Sequence, residues 1–385
     1  MRQAVVVACV RTAIGRAHAE KGVFRHVRSD DLAAAVVRAL VERSGIDPEL
    51  IEDVVLGNTQ QQGEQGLCVA RTVALLAGLP VAVGGATVNR LCGSSLQALN
   101  QAAHAIMAGF EDVQVVGGLE HMHHIPMEKG IDINPKLFHR TSRAALHMGM
   151  TAEFLAQSQG ISREQQDAFA LRSHQRAAAA HAAGEFRAEI VPVWGHDEQG
   201  NRVQVTVDQC VRPDCSAEGL AALKPAFVPE LGTVTAGNSS PLNDGAAALL
   251  IMSEERARAL GLTPLVRIVS TAVVGVEPAV MGTGPVPATQ KALQRAGMQL
   301  SDIDLIEINE AFAAQVLTCV RMLGVDEEKL NVRGGAIAIG HPLGASGARI
   351  ATTLIHAMLD RGAQTGLATM CIGVGQGIAT IFERV

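Results

Sequence analysis

The chain has 385 residues, a formal charge of -6 at pH 7, one Trp and no Tyr. That length exceeds one small core and suits two or more domains, while the acidic balance and scarce aromatics argue against the basic stripe and stacking platform of a nucleic-acid binder. No uncharged run reaches the ~18 residues of a membrane helix, and neither an export signal nor a peroxisomal address is visible, so the cytoplasm is the expected compartment.

Seven scattered cysteines, Cys9, Cys68, Cys92, Cys210, Cys215, Cys319 and Cys371, fit reduced thiols better than a disulfide framework. Residues 5–10 read as a buried strand, and Asp30 or Asp31 can cap a helix through Leu32, Val36, Val37 and Leu40 to Gly45. A strand at 53–58 and a helix at 69–76 follow. Asn89-Arg90-Leu91-Cys92-Gly93-Ser94-Ser95 then sets a cysteine at the start of a helix, because Leu96, Leu99, Ala103, Ile106 and Met107 recur at helical spacing up to Gly109. The amides and dipole of a helix N-terminus favour a thiolate there. After a strand at 113–116, the alternation of strands and helices predicts a mostly parallel sheet covered on both faces.

An insertion at 119–236 carries Ala-rich helices, the clearest opening on a Ser162/Gln165 capping box and closing near Gly184. Within it, His121, His123 and His124 match no familiar zinc spacing, so a polar loop and no metal are expected. Residues 246–252 supply the last strand of the first half.

The second half repeats the first. A helix at 286–296 ends at Gly297, residues 301–309 echo 45–58, residues 331–338 lead into His341 as 87–91 lead into Cys92, and 366–370 match 113–117. This reads as an internal duplication, with domains at 1–118 plus 237–265, at 119–236 and at 266–385. Halves packed about a pseudo-twofold axis would bring the Cys92 and His341 helices to one pocket at the strand ends. Gly340 and Pro342 flank His341 in what reads as an exposed turn. Gly373-Val374-Gly375-Gln376-Gly377 leads into a strand at 378–382, where a dinucleotide loop would need a helix.

Four stretches carry a family resemblance: that around Cys92, Asn309-Glu310-Ala311-Phe312, Gly340-His341-Pro342-Leu343-Gly344-Ala345-Ser346-Gly347, and Met370-Cys371-Ile372-Gly373-Val374-Gly375-Gln376-Gly377. In this order the chain resembles the thiolase family from residue 5 to 385, and within it the bacterial branch that serves fatty-acid β-oxidation inside a multienzyme complex. The resemblance implies a duplicated five-layer αβαβα fold of the α/β class, with a loop domain over the substrate. It implies thiolytic cleavage of 3-ketoacyl-CoA by CoA, giving acetyl-CoA and a shortened acyl-CoA through a ping-pong mechanism.

By the same resemblance, Cys92 carries the acyl group, His341 takes its proton, and Cys371 exchanges protons with the leaving and entering groups. His341 and a water held by Asn309 form one oxyanion hole, and the amides of Cys92 and Gly373 the other. Coenzyme A, a substrate and not a cofactor, falls to His147, Met148, Arg212, Phe227, Ala236, Ser240 and Phe312. Implied partners are a second copy, as dimer or dimer of dimers, and a hydratase/3-hydroxyacyl-CoA dehydrogenase subunit. Thr12-Ala13, Ala345 and Val374 depart from common family residues and leave acyl length open, so an acetoacetyl-CoA thiolase running towards condensation stays as an alternative. A non-catalytic acyl-CoA-binding protein on this fold is another.

Overall fold

A computed structural model describes residues 2–385, and in it one long sheet wraps around a central pair of helices. From edge to edge the strands are Leu305–Ile308, Thr365–Ile372, Gln376–Arg384, Val266–Gly275, Ala4–Thr12, Asn243–Ser253, Val113–His121, Asp53–Gly57 and Ala86–Val88. Read outwards from the middle, the first half runs first strand, last, fourth, second, third in chain terms, and the second half first, last, third, second, the same path without the edge strand. The two sides of the sheet join where Val5 and Val6 face Arg267 and Val266. The duplication is therefore structural, with one difference at the outer edges. Where the first half has the strand Ala86–Val88, the second has a single parallel bridge between Ile306 and Leu330.

The sheet is mixed, which corrects the expectation of a mostly parallel one. Asp53–Gly57 pairs in parallel with both its neighbours, as Leu305–Ile308 does with Thr365–Ile372, but the strand closing each half runs antiparallel. The reason is local. Ile372 pairs with Gln376 across a hairpin in which Val374 (φ 63°) and Gly375 (φ 82°) are both left-handed, so the chain reverses without a crossover helix. The same alternation of apolar runs covers both connections.

The helices Ser94–Ala108 and Ser346–Arg361 lie side by side inside the wrap. Leu96, Leu99, Ala103 and Ile106 of one share a buried core with Ile350, Leu354, Ile355 and Met358 of the other. Gly347 makes their approach possible, since a Cβ there would stand 2.4 Å from the Leu96 nitrogen. The helices Ser29–Ser44 and Val69–Leu76 cover one outer face, burying Leu32, Val36, Leu40 and Val73. Pro285–Ala296 and Ala313–Leu323 cover the other, with Ala288, Ala292 and Val316 in its core and Phe169 added from Arg163–Ala183. The layers thus run αβαβα.

Local signals hold in part. The helix Arg163–Ala183 opens on the Ser162/Gln165 capping box and ends on Gly184 at φ 76°. The helix Ser29–Ser44 has no side-chain cap, because Asp30 is drawn into an ion pair with Arg28. The strand read at 113–116 runs on to His121, so the connecting segment starts later than expected. From that segment Ile190–Val191 pairs in parallel with Arg11 and Thr12. Among the described residues no helix is long and apolar enough to cross a membrane.

Candidate active site

Cys92 is set by a tight turn between the strand Ala86–Val88 and the helix Ser94–Ala108. Leu91 adopts φ 46°, a strained value for a side chain of its size. The Asn89 side chain accepts the Leu91 N–H at 2.9 Å, and the Ser94 hydroxyl accepts the Arg90 N–H at 2.9 Å and donates to the Leu91 carbonyl at 2.5 Å. The cysteine follows this knot, two residues ahead of the helix. Gly93 lets the loop lie against the opposite half, where a Cβ would meet Ile372 at 2.5 Å.

Burial pushes the Cys92 thiol up to about 11, although the backbone amides of Gly373 and of Cys92 itself pull the other way; the Glu120 charge adds to the rise. The expected thiolate is therefore overturned. Desolvation outweighs the donors at the helix start, and the resting side chain is a thiol.

His341 lies at the second strand-to-helix junction and is buried (4% exposed), not in the exposed turn that its flanking glycine and proline suggested. Its Nδ1 stands 2.5 Å from the Ser346 hydroxyl, which itself donates to the Pro342 carbonyl at 2.9 Å. Since that hydroxyl has spent its proton, it accepts from Nδ1–H. The network thereby assigns the lone pair to Nε2. Nε2 is 3.4 Å from the Asn309 amide nitrogen. Burial, and then the Arg349 guanidinium, bring the imidazole down to about 3. It is neutral and available as a base.

Asn309 follows the strand Leu305–Ile308, with its backbone fixed on the Thr369 carbonyl at 3.1 Å, and its buried Oδ1 is unpartnered. Cys371 closes the strand Thr365–Ile372. Burial, with Cys92 adding to it, holds its thiol well above the ordinary value. Cys371 packs with Ala152, Met281, Ala311 and Phe312, and Met148 and Phe227 lean on that group.

Most of the other expected residues join this cluster. Phe227 sets its ring edge-on to Phe312 at 6.0 Å and to His147 at 5.7 Å. The Met148 sulfur would touch a Cβ on Gly373 at 3.4 Å, and Ser240 donates its N–H to the Ala311 carbonyl at 3.0 Å. Arg212 and Ala236 are exposed and take no part in the apolar cluster.

The histidine run is only in part the expected polar loop, since His123 and His124 lie half-buried in a turn while His121 does not. His121 is fully buried at the strand end, its ring stacked 3.7 Å from that of His124 and its Nδ1 3.3 Å from Asp244. His124 meets Glu64 at 3.0 Å. Among the described residues no group of histidines, cysteines and carboxylates is placed to hold a metal.

Sequence reasoning assigned no role to Glu120, Asn243 or Ser346. All three are buried around the His341 loop. A carboxylate at the end of an otherwise apolar strand was a signal for Glu120.

Comparison with known proteins follows the same lines. Residues 4–255 match the family model for the thiolase N-terminal domain, and residues 262–384 that for the thiolase C-terminal domain. Curated 3-ketoacyl-CoA thiolases of Shewanella denitrificans and Shewanella frigidimarina are each 57% identical over 389 aligned residues, covering 100% of both chains. The crystal structure of the Bacillus anthracis acetyl-CoA acetyltransferase superposes with a TM-score of 0.91 at 41% identity, covering 100% of this chain and 99% of that one.

Proposed function

The chain belongs to the thiolase family, and from that premise we propose that it is an acyltransferase cleaving 3-ketoacyl-CoA with CoA through an acyl-Cys92 thioester. The observations that carry this reading are a half-buried Cys92 thiol held protonated at a helix start and a neutral His341 whose Nδ1 is anchored on Ser346.

A 3-keto thioester has two carbonyls flanking one carbon, so attack at the keto carbon can expel an enolate. His341 Nε2 takes the Cys92 proton as the sulfur bonds to C3. The C2–C3 bond then breaks, and its electron pair leaves on the acetyl-CoA carbon, which takes the proton of Cys371. CoA-SH gives its proton to the Cys371 thiolate and attacks the acyl thioester. Cys92 departs with its electrons and recovers the proton from His341. Each group ends as it began, and the net change is 3-ketoacyl-CoA plus CoA to acetyl-CoA plus shortened acyl-CoA.

The enolate oxygen would be met by the His341 and Asn309 side, where the unpartnered Asn309 Oδ1 can hold a water, and the thioester oxygen by the amides of Cys92 and Gly373. Met148, Phe227 and Phe312 would pack on the pantetheine arm, with His147 and Ser240 beside them and the exposed Arg212 available for a phosphate. No cofactor is required by this chemistry. The identity to named 3-ketoacyl-CoA thiolases supports the degradative direction, and with it a place at the end of fatty-acid β-oxidation. The likeness to an acetyl-CoA acetyltransferase supports, as the second reading, acetoacetyl-CoA turnover.

A homodimer, or a pair of them, is supported by the open edge strand Ala86–Val88 with Leu67, 96% exposed, beside it. A hydratase/3-hydroxyacyl-CoA dehydrogenase subunit, which would supply the 3-keto substrate, is the proposed hetero-partner. The deciding experiment follows CoA-dependent loss of 3-ketoacyl-CoA, comparing acetoacetyl-CoA with a long-chain substrate. Faster long-chain cleavage is expected. Activity confined to acetoacetyl-CoA selects the second reading, and no cleavage of either leaves a non-catalytic acyl-CoA binder.

A further inference from the structure

Three backbone amides hold the His341 loop and the helix after it, and the acceptors for all three come from the opposite half of the chain. The His341 N–H donates to Asn243 Oδ1 at 2.8 Å, the Gly344 N–H to Glu120 Oε2 at 2.9 Å, and the Ala348 N–H to the Ser95 hydroxyl at 2.9 Å. Asn243, Glu120 and Ser95 are all fully buried.

Glu120 is the hub. Its Oε2 also accepts from the Thr59 N–H at 3.0 Å and the Thr59 hydroxyl at 2.7 Å, and its Oε1 from Asn58 at 3.0 Å and Gln65 at 2.9 Å. Burial raises this carboxyl from its ordinary value while that ring of donors pulls it back. Asn243 is fixed in turn, since its amide nitrogen donates to the Gly15 carbonyl at 2.9 Å. Glycine is required where the halves touch, because a Cβ on Gly344 would stand 2.7 Å from the Asn58 Cα and one on Gly118 2.2 Å from the Gly344 carbonyl oxygen.

We propose that Glu120 and Asn243 are positioning residues which clamp the His341 loop against the Cys92 half and so set the imidazole for proton transfer. The proposal rests on the acyl-Cys92 reading above. Neither side chain enters the chemistry; each holds a backbone amide of the loop that carries the base. A displacement of about 1 Å between base and nucleophile is enough to slow a step by about a hundredfold, and no CoA-binding group is moved.

The test compares three variants of the full chain. Glu120→Gln keeps one oxygen for the Gly344 N–H and sets its NH2 at the Oε1 position, where Asn58, whose Oδ1 is unpartnered, can turn to accept it while Gln65 loses its acceptor, away from the His341 loop. Glu120→Asp keeps the charge but withdraws it by about one C–C bond, out of reach of Gly344. Asn243→Ala removes the acceptor for the His341 N–H. For each, kcat, KM and the rate of acyl-Cys92 formation by rapid-quench intact mass are measured.

Glu120→Gln is expected within roughly threefold of wild type, while Glu120→Asp and Asn243→Ala lose about tenfold or more in kcat and in acylation rate, with KM within about twofold. Wild-type kcat in Glu120→Asp and Asn243→Ala overturns the clamp. So does a loss equal in all three that is matched by a rise in KM, since that is what a merely structural role would give. Absence of a thioester on wild-type Cys92 overturns the acyl-enzyme reading itself, a result visible before any variant is made.

Discussion

Replacing Ser346 by Ala tests the tautomer of His341 directly. In the native site the Ser346 hydroxyl takes the Nδ1 proton at 2.5 Å because its own hydrogen is committed to the Pro342 carbonyl. Without that oxygen, Nδ1–H would be a buried donor with no acceptor, at a cost of about 1–3 kcal/mol. The imidazole can escape this by moving its proton to Nε2, where Asn309, turning its unpartnered Oδ1 inwards, would accept it. That tautomer has no lone pair facing the nucleophile. At about 1.36 kcal/mol per factor of ten, kcat should fall between about 5-fold and 150-fold. KM for the acyl-CoA should hold, since Ser346 lies in none of the apolar contacts around Phe227 and Phe312. Steady-state kinetics with acetoacetyl-CoA and CoA measures both constants, and intact mass follows thioester formation at Cys92. A folded Ser346→Ala enzyme with kcat within twofold of wild type would refute the reasoning.

The ionisation of Cys92 gives a second expectation. With the thiol pushed up to about 11 and His341 neutral in the free site, alkylation of Cys92 by iodoacetamide should accelerate about tenfold per pH unit across the weakly alkaline range; a plateau already reached at pH 7 would contradict it. Gly347→Ala would drive a Cβ into the backbone of Leu96, where nothing can swing aside, so the unfolding midpoint should fall by the equivalent of about 1–3 kcal/mol. A midpoint equal to wild type would show that the central helices are not in contact there. Val374→Gly should leave stability unchanged or improve it by up to about 1 kcal/mol, because a β-branched residue at φ 63° is relieved while the unfolded chain gains freedom. Destabilisation beyond about 1 kcal/mol in chemical unfolding would mean that the Val374 side chain has a packing role.

What the sequence conveys here is local. Helical spacing after Cys92, the left-handed glycine stops and the Ser162/Gln165 box depend on neighbours within one or two turns, and they survive folding unchanged. Strand direction does not, because a hairpin through Val374 and a crossover through a helix join equally apolar strands. The state of the Cys92 thiol was illegible for a related reason. A helix start argues for a thiolate, but the groups that bury the sulfur arrive from residues beyond 370, across the duplication. His121 looks like one polar residue among several, and only the strand pairing with Asp244 carries it into the interior. Glu120 has the opposite difficulty. On a two-residue period it is one charge at a strand end, and its donors are contributed by residues 58–65 and by Gly344.

The duplication itself explains why two similar halves make one site. Gly57 pairs with Gly118 and Ile308 pairs with Thr369, so 57 to 308 and 118 to 369 are the same step of 251 residues. Carried along the strands, that step relates Asn58 to Asn309 and Glu120 to Cys371. The loops of Cys92 and His341 are counterparts as well, each preceding one of the two central helices. Each strand end therefore addresses the loop of the other half: Glu120 receives the Gly344 N–H of the His341 loop, and Gly373, just past Cys371, presents its amide to the Cys92 sulfur. On the first side the carboxylate is saturated by Asn58, Thr59, Gln65 and Gly344, which leaves an inert clasp. On the second side Asn309 and Cys371 stand in the same places; both asparagines keep an unpartnered Oδ1, so the difference is a thiol where the first side has a saturated carboxylate. One copy of the motif thus fixes the geometry that the other copy uses.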